Sequence, residues 1–493
     1  MTPLVTDIVR IDDIYRLLPV FVACGFGILI MLLEPFVPAS AKNALARLGV
    51  LGGLAAQLSV LISAQHMGRS YPDLPYSSLI QVDYFSLFMF LAIFSFAVLA
   101  MLGSLDYLER ENMQHGEYYA LVLFATAGMA VMACAQELLT AFIGLEVSSI
   151  ASYVLAGYRR NAPKSNESAL KYFLLGSFAT AFFLYGAALI FAGAGSTQLE
   201  KIRTQLQFPE QTDARLLVLG SALVLVGLSF KIASAPFQFW TPDVYEGAPT
   251  PVSGLFASGP KAAAFAILVR VFYSAFGSLS STWFWVIWGS AVLSMFIGNL
   301  DALVQSNVKR MLAYSSIAHA GYLLVAFAAN TELGVAALLF YILVYALVKL
   351  GAFTLVSHLG DVGERHVEIQ DLAGLGRTQP LSAACMSLYL LSLMGLPITA
   401  GFMGKLYIFQ AALDARLTGL AVILAVNSVI SAYYYLRVLR VMYFSEPAAD
   451  RLTAPVPYAV GAVMLFTSVA TIYLGLFPDA VRSLARLSAN ALR

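Results

Sequence analysis

Four lysines lie inside long apolar runs, each beside a glycine, proline or other small-residue break. They are Lys231 in LSFKIASAPFQFW, Lys261 in ASGPKAAAFAILVR, Lys349 in YALVKLGAF and Lys405 in GLPITAGFMGKLYIF. Glu146 is set the same way in FIGLEVSSIASYVLAGY, and His319 in VKRMLAYSSIAHAGYLL. A charge at bilayer depth costs about 2.5–3.5 kcal/mol even on the lenient insertion scale, and such residues mark ion or proton paths. The chemistry on offer is proton transfer. A free lysine, with a pKa near 10.4, holds its proton too tightly to pass it on at neutral pH. Burial weakens that hold and a nearby carboxylate restores it. A buried lysine whose acidic partner can approach or withdraw is therefore a proton switch, and histidine, titrating near neutrality, suits a relay. Each residue also has a structural reading: a carboxylate hydrogen-bonded to a neighbouring helix for Glu146, a static ion pair for Lys231, helix-packing contacts for His319 and Lys349, and snorkelling of Lys261 to the interface from a helix begun at Gly259-Pro260.

The composition sets the medium these residues work in. Of 493 residues, 60% are hydrophobic and 12% charged, and the mean hydropathy is +0.78. A soluble domain carries about 25% charged residues, so the chain is expected to be an integral membrane protein. The net charge of +1 offers nothing to a nucleic acid. Cys24, Cys134 and Cys385 are scattered through apolar runs without a CxxC or Cys/His cluster, which argues against a disulfide framework, zinc or an iron–sulfur cluster. There is no phosphate-binding glycine loop, dinucleotide fingerprint or CxxCH haem motif, and no nucleophile with a neighbouring base. The chain reads as a conduit. Asp12 and Asp13 precede the first apolar run, which lacks the basic start and cleavage site of a signal peptide, so this run is expected to stay as a membrane helix.

About fourteen runs approach the roughly 20 residues that a span requires. They fall near 14–36, 45–65, 81–105, 117–135, 137–158, 168–193, 216–240, 254–275, 282–299, 308–329, 334–358, 381–412, 416–445 and 456–477. The expected fold is all-α and polytopic, with its longest polar stretches at 66–80, 194–215, 241–253 and 359–380. Two runs look broken: the seventh, at Pro236, and the over-long twelfth, at Gly395-Leu396-Pro397. Paired interrupted helices point to a midplane site in inverted-repeat transporters. Their offset of five predicts inverted repeats over helices 4–8 and 9–13. The expected division is an N-terminal three-helix segment (1–110), two repeats (117–275 and 282–445) and a C-terminal helix and tail (456–493). With the N-terminus outside, the inside loops carry thirteen Lys and Arg, Arg451 among them, and the outside loops six, including Arg69. The positive-inside rule then places both termini outside. Glu146, nine residues into its helix, lies about 13.5 Å deep at 1.5 Å per residue.

The stretch LSFKIASAPFQFWTPDVYEGAPTPVSGLFASGPKAAAF resembles the signature of the antiporter-like subunits of respiratory complex I, which is also shared with Mrp-type sodium/proton antiporters. NVKRMLAYSSIAHAGY and GLPITAGFMGKLYIF are similar to two further stretches of that family, and the likeness runs from about Glu117 to Phe444. The chain ends soon after its last span, with no room for a lateral helix, and has Lys405 where the family's middle subunit has a glutamate. Both points favour the smaller of its subunit types. The resemblance implies a proton-translocating subunit driven by quinone reduction elsewhere, with an Mrp-type Na⁺/H⁺ antiporter subunit as the alternative. It implies that Glu146 and Lys231 are the coupled pair of one half-channel and Lys261 the central relay. His319 and Lys349 would line the link to Lys405, the terminal lysine of the second half-channel. No cofactor is implied for this chain: NADH, FMN, iron–sulfur clusters and quinone belong to partner subunits. The implied partners are the other membrane and peripheral subunits of complex I and membrane lipid, in a bacterial inner membrane.

Overall fold

In a hydrocarbon medium every backbone N–H and C=O must be satisfied within the protein, which leaves helices as the natural state of these apolar runs. The computed structural model describes residues 11–67, 79–208, 213–447 and 455–492. Among them the regular elements are helices, with only isolated β-bridges such as Asn307 to Glu368. The helices that build the body are α1 (Leu18–Leu33), α2 (Lys42–Gln65), α3 (Tyr84–Arg110), α4 (Gly116–Cys134), α5 (Leu138–Ala156), α6 (Pro163–Ala194) and α7 (Ala214–Ile232). The chain continues with α8 (Trp240–Gly247), α9 (Thr250–Val269), α10 (Ser280–Leu303), α11 (Val308–Ala328) and α12 (Glu332–Leu359). It closes with α13 (Pro380–Met394), α14 (Ala400–Asp414), α15 (Thr418–Phe444), α16 (Tyr458–Leu476) and α17 (Asp479–Asn490). Thirteen helices among the described residues are long and apolar enough to cross a membrane. The α13–α14 pair, each half too short alone, is the expected twelfth run and brings the total to fourteen.

Neighbouring helices approach through small residues, as membrane helices do where apolar side chains gain little by leaving lipid. A Cβ at Gly128 on α4 would lie 2.6 Å from the Gly144 carbonyl oxygen of α5, and one at Gly186 on α6 would lie 2.6 Å from that of Gly220 on α7. These contacts bring α5 and α7, the carriers of Glu146 and Lys231, close to their neighbours. α9, α11 and α12 form the buried centre: α9 and α11 are buried along almost their whole length. α5, α10, α15 and α16 each leave an apolar face exposed.

Both expected breaks are present, and the first resolves its freed backbone groups inside protein. α7 ends where Ala233 turns left-handed (φ 59°). Trp240 Nε1 donates to the Phe230 carbonyl at 3.0 Å. Ser294 Oγ accepts from Ala235 N at 2.8 Å, and Ser290 Oγ donates to the Ala235 carbonyl at 2.6 Å, both from α10. α13 ends at Gly395 (φ 94°), and α14 restarts after Ile398 (φ 79°). Gly401 lies so close to the Ser392 carbonyl that no Cβ fits there.

Three expectations are corrected. The polar-looking stretch 241–253 is mostly buried structure: it holds α8 and the first turn of α9. Arg310 anchors it by pairing with Asp243 and Glu246 at 2.8 and 2.9 Å. Pro260 does not start a helix but lies inside α9, so Lys261 sits in mid-helix, fully enclosed and without a route to snorkel. The C-terminal tail contains a further helix, α17, whose Arg482 lies over the Tyr407 ring at 4.7 Å. Arg69 and Arg451, used in the charge argument, lie outside the described residues.

Candidate functional site

The structure brings three of the six expected residues into one polar cluster, built of two hydrogen-bonded groups that start from the adjacent Ser315 and Ser316. Lys261, on α9, donates from Nζ to the carbonyl (2.7 Å) and hydroxyl (2.6 Å) of Ser316 on α11. Tyr345, on α12, donates to the same hydroxyl at 2.7 Å, and the Tyr245 hydroxyl of α8 also reaches it. One residue along, Ser315 accepts from Lys349 Nζ at 2.9 Å, while Lys349 also donates to the Leu312 carbonyl at 2.7 Å. Ser315 shares a hydrogen with Tyr435 of α15 at 2.5 Å, and Tyr435 lies 3.3 Å from His319 Nε2. The other ring nitrogen, Nδ1, meets the Tyr341 hydroxyl at 2.6 Å. Lys261, Lys349 and His319 are all buried. Among the described residues, no carboxylate hydrogen-bonds to any of them.

α11 supports this cluster through its periodicity. Ser315, Ser316 and His319 lie one turn apart, and Tyr341, Tyr345 and Lys349 recur every four residues along α12, so each set occupies one face. The Tyr345 ring is the hub, lying 5.6 Å from Lys261 Nζ, 5.7 Å from Lys349 Nζ and 5.1 Å from the His319 ring.

Lys405 joins this cluster through rings. Its Nζ donates to the Met394 carbonyl at 3.0 Å, a group freed by the α13–α14 break, and lies 4.7 Å over the Tyr322 ring. Tyr322 in turn meets the His319 ring edge-on at 5.3 Å. A buried amide pair backs Tyr322: Asn299 donates to its hydroxyl at 3.1 Å and to the Asn427 side chain at 3.0 Å, and accepts from Tyr434 at 3.0 Å.

Glu146 and Lys231 stand apart from the cluster. Lys231 is buried in the last turn of α7, with its Nζ 5.1 and 5.2 Å from the Tyr153 and Tyr172 rings. Cation–π contact replaces hydrogen bonding there. Glu146 is near enough to act on it electrostatically, but the two make no direct ion pair. Glu146 Oε1 and the Tyr153 hydroxyl are buried without a hydrogen-bond partner. Between Lys231 and the cluster stand Tyr172, Trp240, Phe256 and Tyr245, with Tyr172 stacked on Trp240 at 4.5 Å. This aromatic wall lies between the acid–lysine pair and the cluster, which it touches through Tyr245.

Sequence reasoning missed Ser315, Ser316, Tyr322, Tyr341, Tyr345 and Tyr435. The spacing of YSSIAHAGY and of Tyr341, Tyr345 and Lys349 carried a readable signal, one polar stripe per helix. Tyr435 carried none, because only the fold brings α15 to Ser315. Chemically, a lysine–hydroxyl–imidazole set in a buried setting can pass protons.

Fold and site together define an antiporter-like polytopic membrane subunit. The family described as "NADH:quinone oxidoreductase/Mrp antiporter, TM" matches residues 135–431. The chain is 46% identical over 484 residues to NADH-quinone oxidoreductase subunit N 1 of Solibacter usitatus, covering 98% of each protein. It is 37% identical to a chain in the structure of respiratory complex I from Thermus thermophilus with bound aureothin, with a TM-score of 0.77 over 95% of this chain and 99% of that one. A chain of the Mrp complex from Dietzia sp., 21% identical with a TM-score of 0.83 over 98% of each, shares the fold. The chain belongs to this antiporter family, in its NADH-quinone oxidoreductase subunit N branch.

Proposed function

We propose that this chain is a proton-translocating membrane subunit of an NADH-quinone oxidoreductase, one that does no redox chemistry itself. The observation that carries this reading is the buried run Lys349–Ser315–Tyr435–His319–Tyr341, with Lys261 bonded to the adjacent Ser316. Its members can each give or take a proton, and its charges lie where an idle charge is costly. In this reading the Glu146–Lys231 pair is the gate. As the charge of Glu146 is felt more or less strongly, Lys231 keeps or yields its proton, and the aromatic wall lies between that event and the cluster beyond. Lys405, held at the second break, is the terminal proton carrier. The drive comes from quinone reduction in partner subunits, where NADH, FMN, iron–sulfur clusters and quinone are expected. Moving a charge against 100 mV takes about 2.3 kcal/mol.

Residues 117–275 and 282–445 are then two inverted repeats, each with one broken helix. In the first, the lysine precedes the break; in the second, it follows. Both termini face the periplasmic side of a bacterial inner membrane. NADH-driven proton pumping in membranes carrying Lys231→Ala, with complex content measured in parallel, tests the reading. Lost pumping with intact assembly is expected, and unchanged pumping would overturn it. An Mrp-type antiporter function predicts instead sodium-dependent flux by the isolated protein. The cationic character of the set argues against that, since sodium favours carboxylate and carbonyl ligands.

A further inference from the structure

Outside the lysine axis, one loop residue ties together more of the molecule than its sequence position suggests. Glu364 lies in the connection after α12, with its side chain only 7% exposed. Its Oε1 accepts from Tyr107 of α3 at 2.8 Å and from the Thr250 backbone (2.8 Å) and hydroxyl (2.6 Å), which open α9. Its Oε2 accepts from Lys309 in the first turn of α11 at 2.8 Å and faces Arg159 at 3.3 Å. Lys309, fully buried, also donates to the Ala248 carbonyl at 2.7 Å, at the end of α8.

The backbone bends into a costly shape to deliver this carboxylate. Asp361 (φ 59°), Gly363 (φ 76°) and Glu364 (φ 54°) are left-handed. Two of them are not glycine, and such conformations persist only where the surroundings over-determine them. Glu111, at the end of α3, accepts from Gly363 N at 2.7 Å and holds the bend from outside. A carboxylate at a helix N-terminus also complements the helix dipole.

α9 and α11 therefore start from one shared anchor. Lys261 lies eleven residues beyond Thr250, about 16 Å along α9, and Ser316 eight beyond Val308, about 12 Å along α11, at 1.5 Å per residue. The Lys261–Ser316 bonds of 2.6 and 2.7 Å are met only if both helices keep that register. We propose that Glu364 is a positioning residue of the lysine axis: its carboxylate pins the N-terminal ends of α9 and α11 in the register that lets Lys261 reach Ser316. This rests on the relay reading for its functional consequence but not for its geometry. A residue that merely neutralised Lys309 would need neither the Thr250 contacts nor the strained loop.

The test is Glu364→Gln in the assembled complex, in inverted membrane vesicles. Three quantities are read: complex content, protons pumped per NADH oxidised, and amide hydrogen exchange over 250–262 and 308–320. The expected result is retained content, faster exchange in both segments and pumping down about five- to tenfold, the size of losing one charge-assisted contact. Unchanged exchange would overturn the proposal. If the variant fails to assemble, Glu364→Gln with Lys309→Met removes the unpaired lysine. An assembled double variant with fast exchange and low pumping supports positioning. One with normal pumping shows that charge neutralisation was the whole role and overturns it, as does renewed failure to assemble. Lys231→Ala run alongside separates the two readings: if it pumps normally, the relay reading fails, while the exchange data still decide the place of Glu364.

Discussion

Lys349 and His319 are joined by a pair of hydroxyls. Ser315 accepts from Lys349 at 2.9 Å and shares a hydrogen with Tyr435 at 2.5 Å, and Tyr435 lies 3.3 Å from His319 Nε2. Removing the Tyr435 hydroxyl breaks this link and leaves the aromatic packing against Tyr434 in place. Tyr435→Phe is expected to slow NADH-driven pumping about tenfold, the kinetic weight of one hydrogen bond to a charged or buried group. Complex content should hold. Pumping at the parent rate would show that protons bypass this pair.

Lys405 is held differently, by a carbonyl and by the face of Tyr322 at 4.7 Å. A desolvated cation–π contact is worth about 2 kcal/mol. Tyr322→Phe keeps the face and should pump within a few-fold of the parent, whereas Tyr322→Leu loses it and should fall more than tenfold. Equal loss in both variants would assign the role to the Asn299–Tyr322 hydrogen bond instead.

The sequence displayed much of this arrangement because membrane helices obey strict rules. Lys231, Lys261, Lys349 and Lys405 stood out since a buried charge is rare in lipid, and Pro236 and Pro397 marked the breaks because proline cannot continue a hydrogen-bonded turn. What stayed hidden depended on contacts between distant elements. Tyr435 meets Ser315 across 120 residues, and Glu364 meets Tyr107 across 257. No local period announces either. Pro260 misled for a physical reason: proline usually opens a helix, but here α9 runs through it. The stretch 241–253 looked like a loop because its Asp243 and Glu246 are charged, and their partner Arg310 lies 64 to 67 residues away.

The N-terminal segment is riveted to the chain just beyond α9 by another buried pair. Arg270 forks onto Asp83 at 3.0 and 2.9 Å and also donates to the Ala133 carbonyl at 3.0 Å. Breaking a buried pair from one side costs about 3–5 kcal/mol because the other charge is stranded. Asp83→Leu should therefore sharply lower complex content and the melting temperature of the solubilised complex. Asp83→Leu with Arg270→Met should recover most of both. A double variant no better than the single would assign the loss to the bonds from Arg270 to the Ser86 hydroxyl (2.8 Å) and the Ala133 carbonyl.

Acid should loosen the α9–α11 anchor. Burial alone would raise the pKa of Glu364, but the charge of Lys309 and the hydrogen bonds from Lys309 and Thr250 outweigh it and hold the group below the ordinary value of 4.5. A carboxylate depressed on folding binds its proton more readily in the unfolded chain. Its stabilisation is therefore fully present above about pH 4.5 and is lost as pH falls through the lowered folded-state value. Exchange protection at Thr250 and Lys309 in the parent should hold from neutral pH down to about pH 5 and collapse below the ordinary carboxylate range. In Glu364→Gln the protection should start lower and show no such step. Amide exchange measured across that pH range decides it: an identical step in both proteins would assign the acid sensitivity to Asp243 and Glu246, which, against the effect of burial, Lys171 and Lys164 respectively, together with Arg310, also hold below their ordinary values.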